Sequence, residues 1–136
     1  MDPITPEAAY RVAEFRAALR RFMRTTERNA RSAGLTPQRY LLLLMIKGAA
    51  DGSERSTVTE LAQRLQLAQS TVTELVRRAE ENGLIERERS SADGRVAYLR
   101  LSTEGERRLA RSFTTNETER RTLADAFSHL EGKVPG

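Results

Sequence analysis

The sequence predicts a mainly α-helical fold that carries one small β-hairpin. Three observations predict it. Apolar residues recur at spacings of three and four through most of the chain. Helix-starting signals precede each such stretch. A short alternating run follows a charged Asp-Gly-Arg tip at 93–95. At 136 residues the chain has the length of one domain.

The elements follow in order. Thr5, Pro6 and Glu7 start a helix, with Thr as N-cap, Pro at the first helical position and an acid in the first turn. Ala8, Val12, Phe15, Leu19 and Phe22 then form an apolar stripe, and Gly34 offers a stop. A helix from Pro6 to about Ala33 is roughly 40 Å long at ~1.5 Å per residue. A compact domain of this size has a radius of gyration of about 14 Å. One chain leaves part of that stripe uncovered, and a second subunit is the simplest cover.

Thr36, Pro37 and Gln38 repeat the starting signal, and RYLLLLMIK at 39–47 predicts a second helix buried on most sides. Residues 48–56 are rich in Gly, Ala, Asp and Ser and predict a loop. Thr57 with Glu60 predicts a capping box, opening a short helix that buries Leu61, Ala62 and Leu65. A further helix over 69–82 presents Val72, Leu75, Val76 and Ala79 to the core and ends at Gly83.

Residues 84–89 and 96–101 predict two strands around the loop 90–95, with Ala97, Leu99 and Leu101 alternating against Val96, Tyr98 and Arg100. Ser102 caps a helix carrying Leu109 and Phe113, with Thr114 and Thr115 as a weak spot in it. Asn116, with Glu119 three residues on, is expected to cap a last helix bearing Leu123, Phe127 and Leu130. Gly132 stops that helix, and 133–136 are expected to fray.

Composition narrows the function. There is no Cys, which excludes disulfides, thiolate catalysis and sulfur-ligated metal sites. The single His129 has no second His to share a metal and reads as a surface side chain. With no Gly-rich phosphate loop and no paired carboxylates in an apolar setting, no enzyme activity, cofactor or metal site is expected. No apolar run nears 18 residues and no charged-then-apolar leader is present, so a cytoplasmic protein is expected, with no membrane partner.

A net charge of +4 and a pI near 10.1 suit a polyanionic partner. The excess is uneven. Residues 1–36 hold seven Arg against four acids, 37–101 hold ten bases against nine acids, and 102–136 hold six of each. The surplus therefore lies in the N-terminal segment.

Two short helices joined by a tight turn and followed by a hairpin give the winged helix-turn-helix order. Ala62 is the small residue where the second helix crosses the first, and Val72 and Leu75 pack back onto it. Gln66 stands where Gly is common, so this site must accept a left-handed or otherwise non-helical backbone.

The stretches LA-x-x-L (61–65), STVT-x-LV-x-R (70–78), GLI-x-R (83–87) and D-x-R followed by L-[ST]-x-x-G (93–105) occur in order. In these stretches the chain resembles the MarR family of bacterial transcriptional regulators, over essentially its whole length. The resemblance implies a homodimer in which residues 1–35 and 102–136 supply dimerisation helices and 36–101 form the DNA-binding lobe. It implies a recognition helix in the major groove, a wing in the adjacent minor groove, and a pseudo-palindromic double-stranded operator. The half-sites would lie one helical turn apart, ~34 Å. The expected function is transcription regulation, as a repressor.

The candidate DNA-contacting set is Thr57, Gln69, Ser70, Thr71, Thr73, Arg77, Arg78, Asp93 and Arg95. Short polar side chains at a helix start bond phosphates, Thr methyls touch thymine methyls, and Gln69 can pair with adenine. Helix capping is the competing role for one of the Ser and Thr residues. Arg77 and Arg78 suit phosphate, with a solvated face as the rival reading.

Two residues depart from the family pattern. Glu74 stands where a basic residue is common, and either points away from DNA or discriminates by accepting from a cytosine amino group. Ala68 is a poor N-cap.

The resemblance assigns Arg95 to the minor groove, with Asp93 orienting it and Gly94 allowing the turn. Arg87 and Arg89 are secondary phosphate candidates beside Glu86 and Glu88. The resemblance also implies relief by a small anionic aromatic effector. Candidates are Tyr10, Phe15, Arg16, Arg20, Tyr40 and Leu44, each of which also reads as core or interface. The alternative function is a winged-helix module that binds RNA or a protein partner.

Overall fold

In a computed structural model, which describes residues 3–89, 94 and 96–131, the chain folds as α1(Pro6–Ser32), α2(Pro37–Lys47), β1(Arg55–Ser56), α3(Val58–Leu65), α4(Gln69–Glu81), β2(Ile85–Arg89), β3(Ala97–Leu101), α5(Thr103–Thr115) and α6(Glu117–Ser128). The fold is mainly helical with a three-stranded antiparallel sheet in the order β1-β3-β2. Among the described residues no helix is long and apolar enough to cross a membrane.

Local chemistry sets the helix ends. Thr5 accepts from the Ala8 amide at 3.1 Å, and Thr36 from the Arg39 amide at 3.2 Å, so the first two starts are as the sequence predicts. The Thr57–Glu60 capping box is complete: the Glu60 amide donates to Thr57 Oγ1 at 3.2 Å and the Thr57 amide to Glu60 Oε1 at 3.0 Å. Gly34 takes φ +79° just beyond α1, where the Leu35 amide reaches back to the Ala30 carbonyl at 2.9 Å.

The core lies between α2, α3, α4 and the sheet. Leu42, Leu43, Ile46, Leu61, Val72, Val76, Ala79 and Leu99 are fully enclosed there, so α2 is buried on most sides as its apolar run requires. Register is set by the same alternation. Arg87 pairs with Leu99 and Ile85 with Leu101, which turns both leucines inward.

Two expectations need correction. The segment 48–56 is not loop throughout: Arg55 and Ser56 form β1, paired with Arg100 and Leu99 of β3. Asn116 makes no side-chain cap for α6; its side chain turns inward and meets Asn29. Phe113 and Phe127, on the apolar stripes of α5 and α6, are exposed at 46% and 64%. The α1 stripe is also left open. Val12 is exposed, Ala8, Phe15, Leu19 and Phe22 are half-buried, and the buried α1 residues are Ala18, Thr26 and Ala30.

Candidate nucleic-acid interface

The corner between α3 and α4 aims the candidate residues. Gln66 adopts φ 58° and ψ 44°, left-handed and so within the non-helical range expected at that position, and its amide closes α3 onto the Ala62 carbonyl. That single left-handed residue ends α3 and lets α4 leave at a new angle. Val72, Val76 and Ala79 then hold one face of α4 in the core, which turns the opposite face to solvent.

Ala68 provides no side-chain cap. The first-turn amides of α4 therefore lack the usual internal acceptor, in a turn whose residues Gln69, Ser70 and Thr71 are exposed. Thr73 is exposed as well. Gln69 is tied back: its Nε2 donates to Thr59 Oγ1 at 3.2 Å, joining α4 to α3. Thr57 sits half-buried at the head of α3 with its oxygen engaged in the capping box.

The most consequential contact surrounds Glu74. Arg77 Nε donates to Glu74 Oε2 at 3.0 Å, Arg77 Nη2 donates to Oε1, and Arg78 Nε donates to Oε1 at 3.1 Å. Arg77 is also paired with Glu81. The hydrogen bonds from Arg77, then those from Arg78, pull the Glu74 carboxyl down from 4.5 to about 2, so it is ionised throughout the physiological range. Glu74 therefore stays on the outer face of α4 and neutralises the two arginines there.

The sheet next to α4 is pinned in several places. Arg55 of β1 stacks 4.5 Å above the centre of the Tyr98 ring and donates to Glu88 at 3.0 Å. Arg87 donates to Glu80 of α4 at 2.8 Å, and its side chain stays 45% exposed. Arg89 donates to the Gly94 carbonyl at 2.8 Å. The expectations for Asp93 and Arg95 lie outside the described residues.

The sequence reading missed Arg55, because a two-residue strand leaves no alternation to detect. It also left the direction of Glu74 open, although a Glu followed by Arg at three and four residues is the spacing at which such pairs meet on a helix.

The effector candidates are dispersed over the protomer. Tyr40 and Leu44 line one 140 Å³ apolar cleft with Phe22, Met23, Thr26 and Leu41. Tyr10 lines a 510 Å³ cleft between α1 and α6, and Phe15 a third, beside Phe127. Arg16 and Arg20 are exposed and line none of these three. Positions 10, 15 and 16 leave α1 in different directions at ~3.6 residues per turn, so one cleft cannot gather them all.

The model of the MarR family matches residues 33–96, which takes in α2 through the start of the hairpin. The uncharacterized HTH-type transcriptional regulator YsmB of Bacillus subtilis (strain 168) is 28% identical over 132 residues, covering 94% of this chain and 88% of its own. AbsC, a MarR family transcriptional regulator from Streptomyces coelicolor, has the same fold with a TM-score of 0.69 at 20% identity, over 92% of this chain and 84% of its own. A mutant MarR from E. coli complexed with operator DNA reaches a TM-score of 0.69 at 20% identity, over 85% of this chain and 84% of its own.

Proposed function

We propose, from the premise that this chain belongs to the MarR family, that it is a homodimeric transcriptional regulator that binds a pseudo-palindromic double-stranded DNA operator. One observation carries the reading: the uncapped first turn of α4, with exposed Ser70, Thr71 and Thr73, stands out from a two-helix corner whose turn is fixed by Gln66. Free amides at a helix start donate to phosphate oxygens, and hydroxyl side chains bond phosphates or base edges. In this reading α4 enters the major groove. The wing carries Arg95 into the minor groove, with Asp93 holding it.

The apolar surface on α1 and α6 supports the dimer. Tyr10, Val12 and Phe127 are more than half exposed, Ile4 just ahead of α1 is 81% exposed, and α6 has no buried residue. Single apolar side chains on a surface are ordinary, but several on two packed helices mark an interface. A repressor released by a small anionic aromatic compound is the mode of regulation that the family resemblance favours.

The neutralised arginines of α4 favour a second reading, a winged-helix module for RNA or a protein partner. A salt-resolved anisotropy titration on duplex DNA separates the two. Phosphate-driven binding weakens steeply with salt, and protein binding does not.

A further inference from the structure

Along α4, Ser70, Glu74, Arg77 and Glu81 follow one another at spacings of four, three and four, opposite the buried Val72, Val76 and Ala79. The carboxylate of Glu74 is thus central on the face that the function above presents to DNA. Its cluster with Arg77, Arg78 and Glu81 carries no net charge, because two guanidiniums meet two carboxylates. Exposed pairs at such spacings add little to stability, so the fold does not depend on this arrangement. Its effect falls on what α4 offers a polyanion. While Glu74 holds both arginines, α4 brings no net positive charge from this cluster to the phosphates.

An ionised carboxylate facing DNA is repelled unless a donor meets it, and in the major groove that donor is the N4 amino group of cytosine. A duplex with cytosine opposite Glu74 replaces the arginines as its donor. Arg77 and Arg78 then swing to phosphates on either side. A duplex without it leaves Glu74 on the arginines.

Building on the DNA-binding reading, we propose that Glu74 is a specificity-determining residue that selects cytosine in each half-site and frees Arg77 and Arg78 for phosphate only when that cytosine is present. Discrimination therefore comes from two sources at one residue: a base-edge bond gained, and two phosphate contacts withheld from the wrong sequence.

The test compares the wild-type protein with Glu74→Gln and Glu74→Ala by selection from a random duplex pool and by anisotropy on a duplex of A·T pairs only. Glu74 is about half exposed, so both variants should keep the fold; a thermal melt of each checks it. Wild type should enrich a cytosine at one position per half-site. Glu74→Ala should lose that preference, and Glu74→Gln should shift it towards adenine. On the A·T duplex both variants should bind several-fold more tightly than wild type, with a salt slope steeper by about 0.9 for each arginine released to a phosphate. Retention of the cytosine by both variants, or an unchanged slope on the A·T duplex, overturns the proposal and leaves DNA binding standing. No enriched sequence with wild type overturns both.

Discussion

Asn29 donates its side-chain amide to Asn116 Oδ1 at 2.6 Å, across 87 residues of chain. Asn116 is fully buried, and its own amide points to the Tyr40 hydroxyl at 3.4 Å. One side chain at the α5–α6 junction thereby joins the long first helix to the helix that carries the core. Asn116→Ala removes a buried partner from both neighbours and should cost about 1–3 kcal/mol. Urea denaturation measures it, and a double-mutant cycle with Asn29→Ala should show non-additive losses.

Gly105 is fixed by close approach. A Cβ at this position would stand 2.1 Å from the Leu84 carbonyl oxygen, which already accepts from the Ser102 amide at 2.9 Å. Both groups are backbone, so neither can yield cheaply. Gly105→Ala should destabilise the fold by at least about 2 kcal/mol, read from denaturant midpoints.

Glu104 supplies a pH test. Arg107, and then Arg108, hold its carboxyl down at about 2 from an ordinary 4.5. Arg108 also donates to the Gly34 carbonyl at 2.9 Å, which joins α5 to the end of α1. A carboxyl depressed by folding contributes stability that is complete above its unfolded value and is lost as pH falls through its folded one. The melting-temperature gap between wild type and Glu104→Gln should therefore be constant above about pH 4.5 and close towards pH 2. A gap that widens on acidification would refute this role.

Gln66 pays a conformational cost at the corner. A non-glycine residue in the left-handed region costs roughly 1–2 kcal/mol, and glycine returns part of that as unfolded-state entropy. Gln66→Gly should stabilise the protein by about 0.5–1 kcal/mol, after the loss of a side-chain bond to the Gln63 carbonyl. A melt series with Gln66→Ala as the control isolates the backbone effect.

Much of the frame was legible because its signals are local. The Thr57–Glu60 box, the non-helical demand at Gln66 and the inward set Val72, Val76 and Ala79 each depend on residues within a turn or two of one another. What escaped depends on distant partners. Arg55 joins the sheet through Arg100 and Tyr98, and Asn116 leaves its expected capping role for Asn29. Helical spacing marks Phe113 as apolar but not what meets it: the Arg120 guanidinium lies 3.9 Å from the centre of its ring. The face of Glu74 was readable in principle, since its partners lie three and four residues away; the base that would compete for it was not.

In the proposed function, α4 and the wing of a dimer meet duplex DNA. The most direct measurement is anisotropy of the protein on a labelled duplex from upstream of its own gene, titrated across salt with Arg95→Ala alongside and an aromatic acid panel added at fixed salt. Saturable binding should weaken linearly in log salt, by several decades for six or more phosphate contacts. Arg95→Ala should lose about 1 kcal/mol or more while sedimentation still shows a dimer. Binding that ignores salt, or equal affinity for that duplex and a scrambled one, would contradict it.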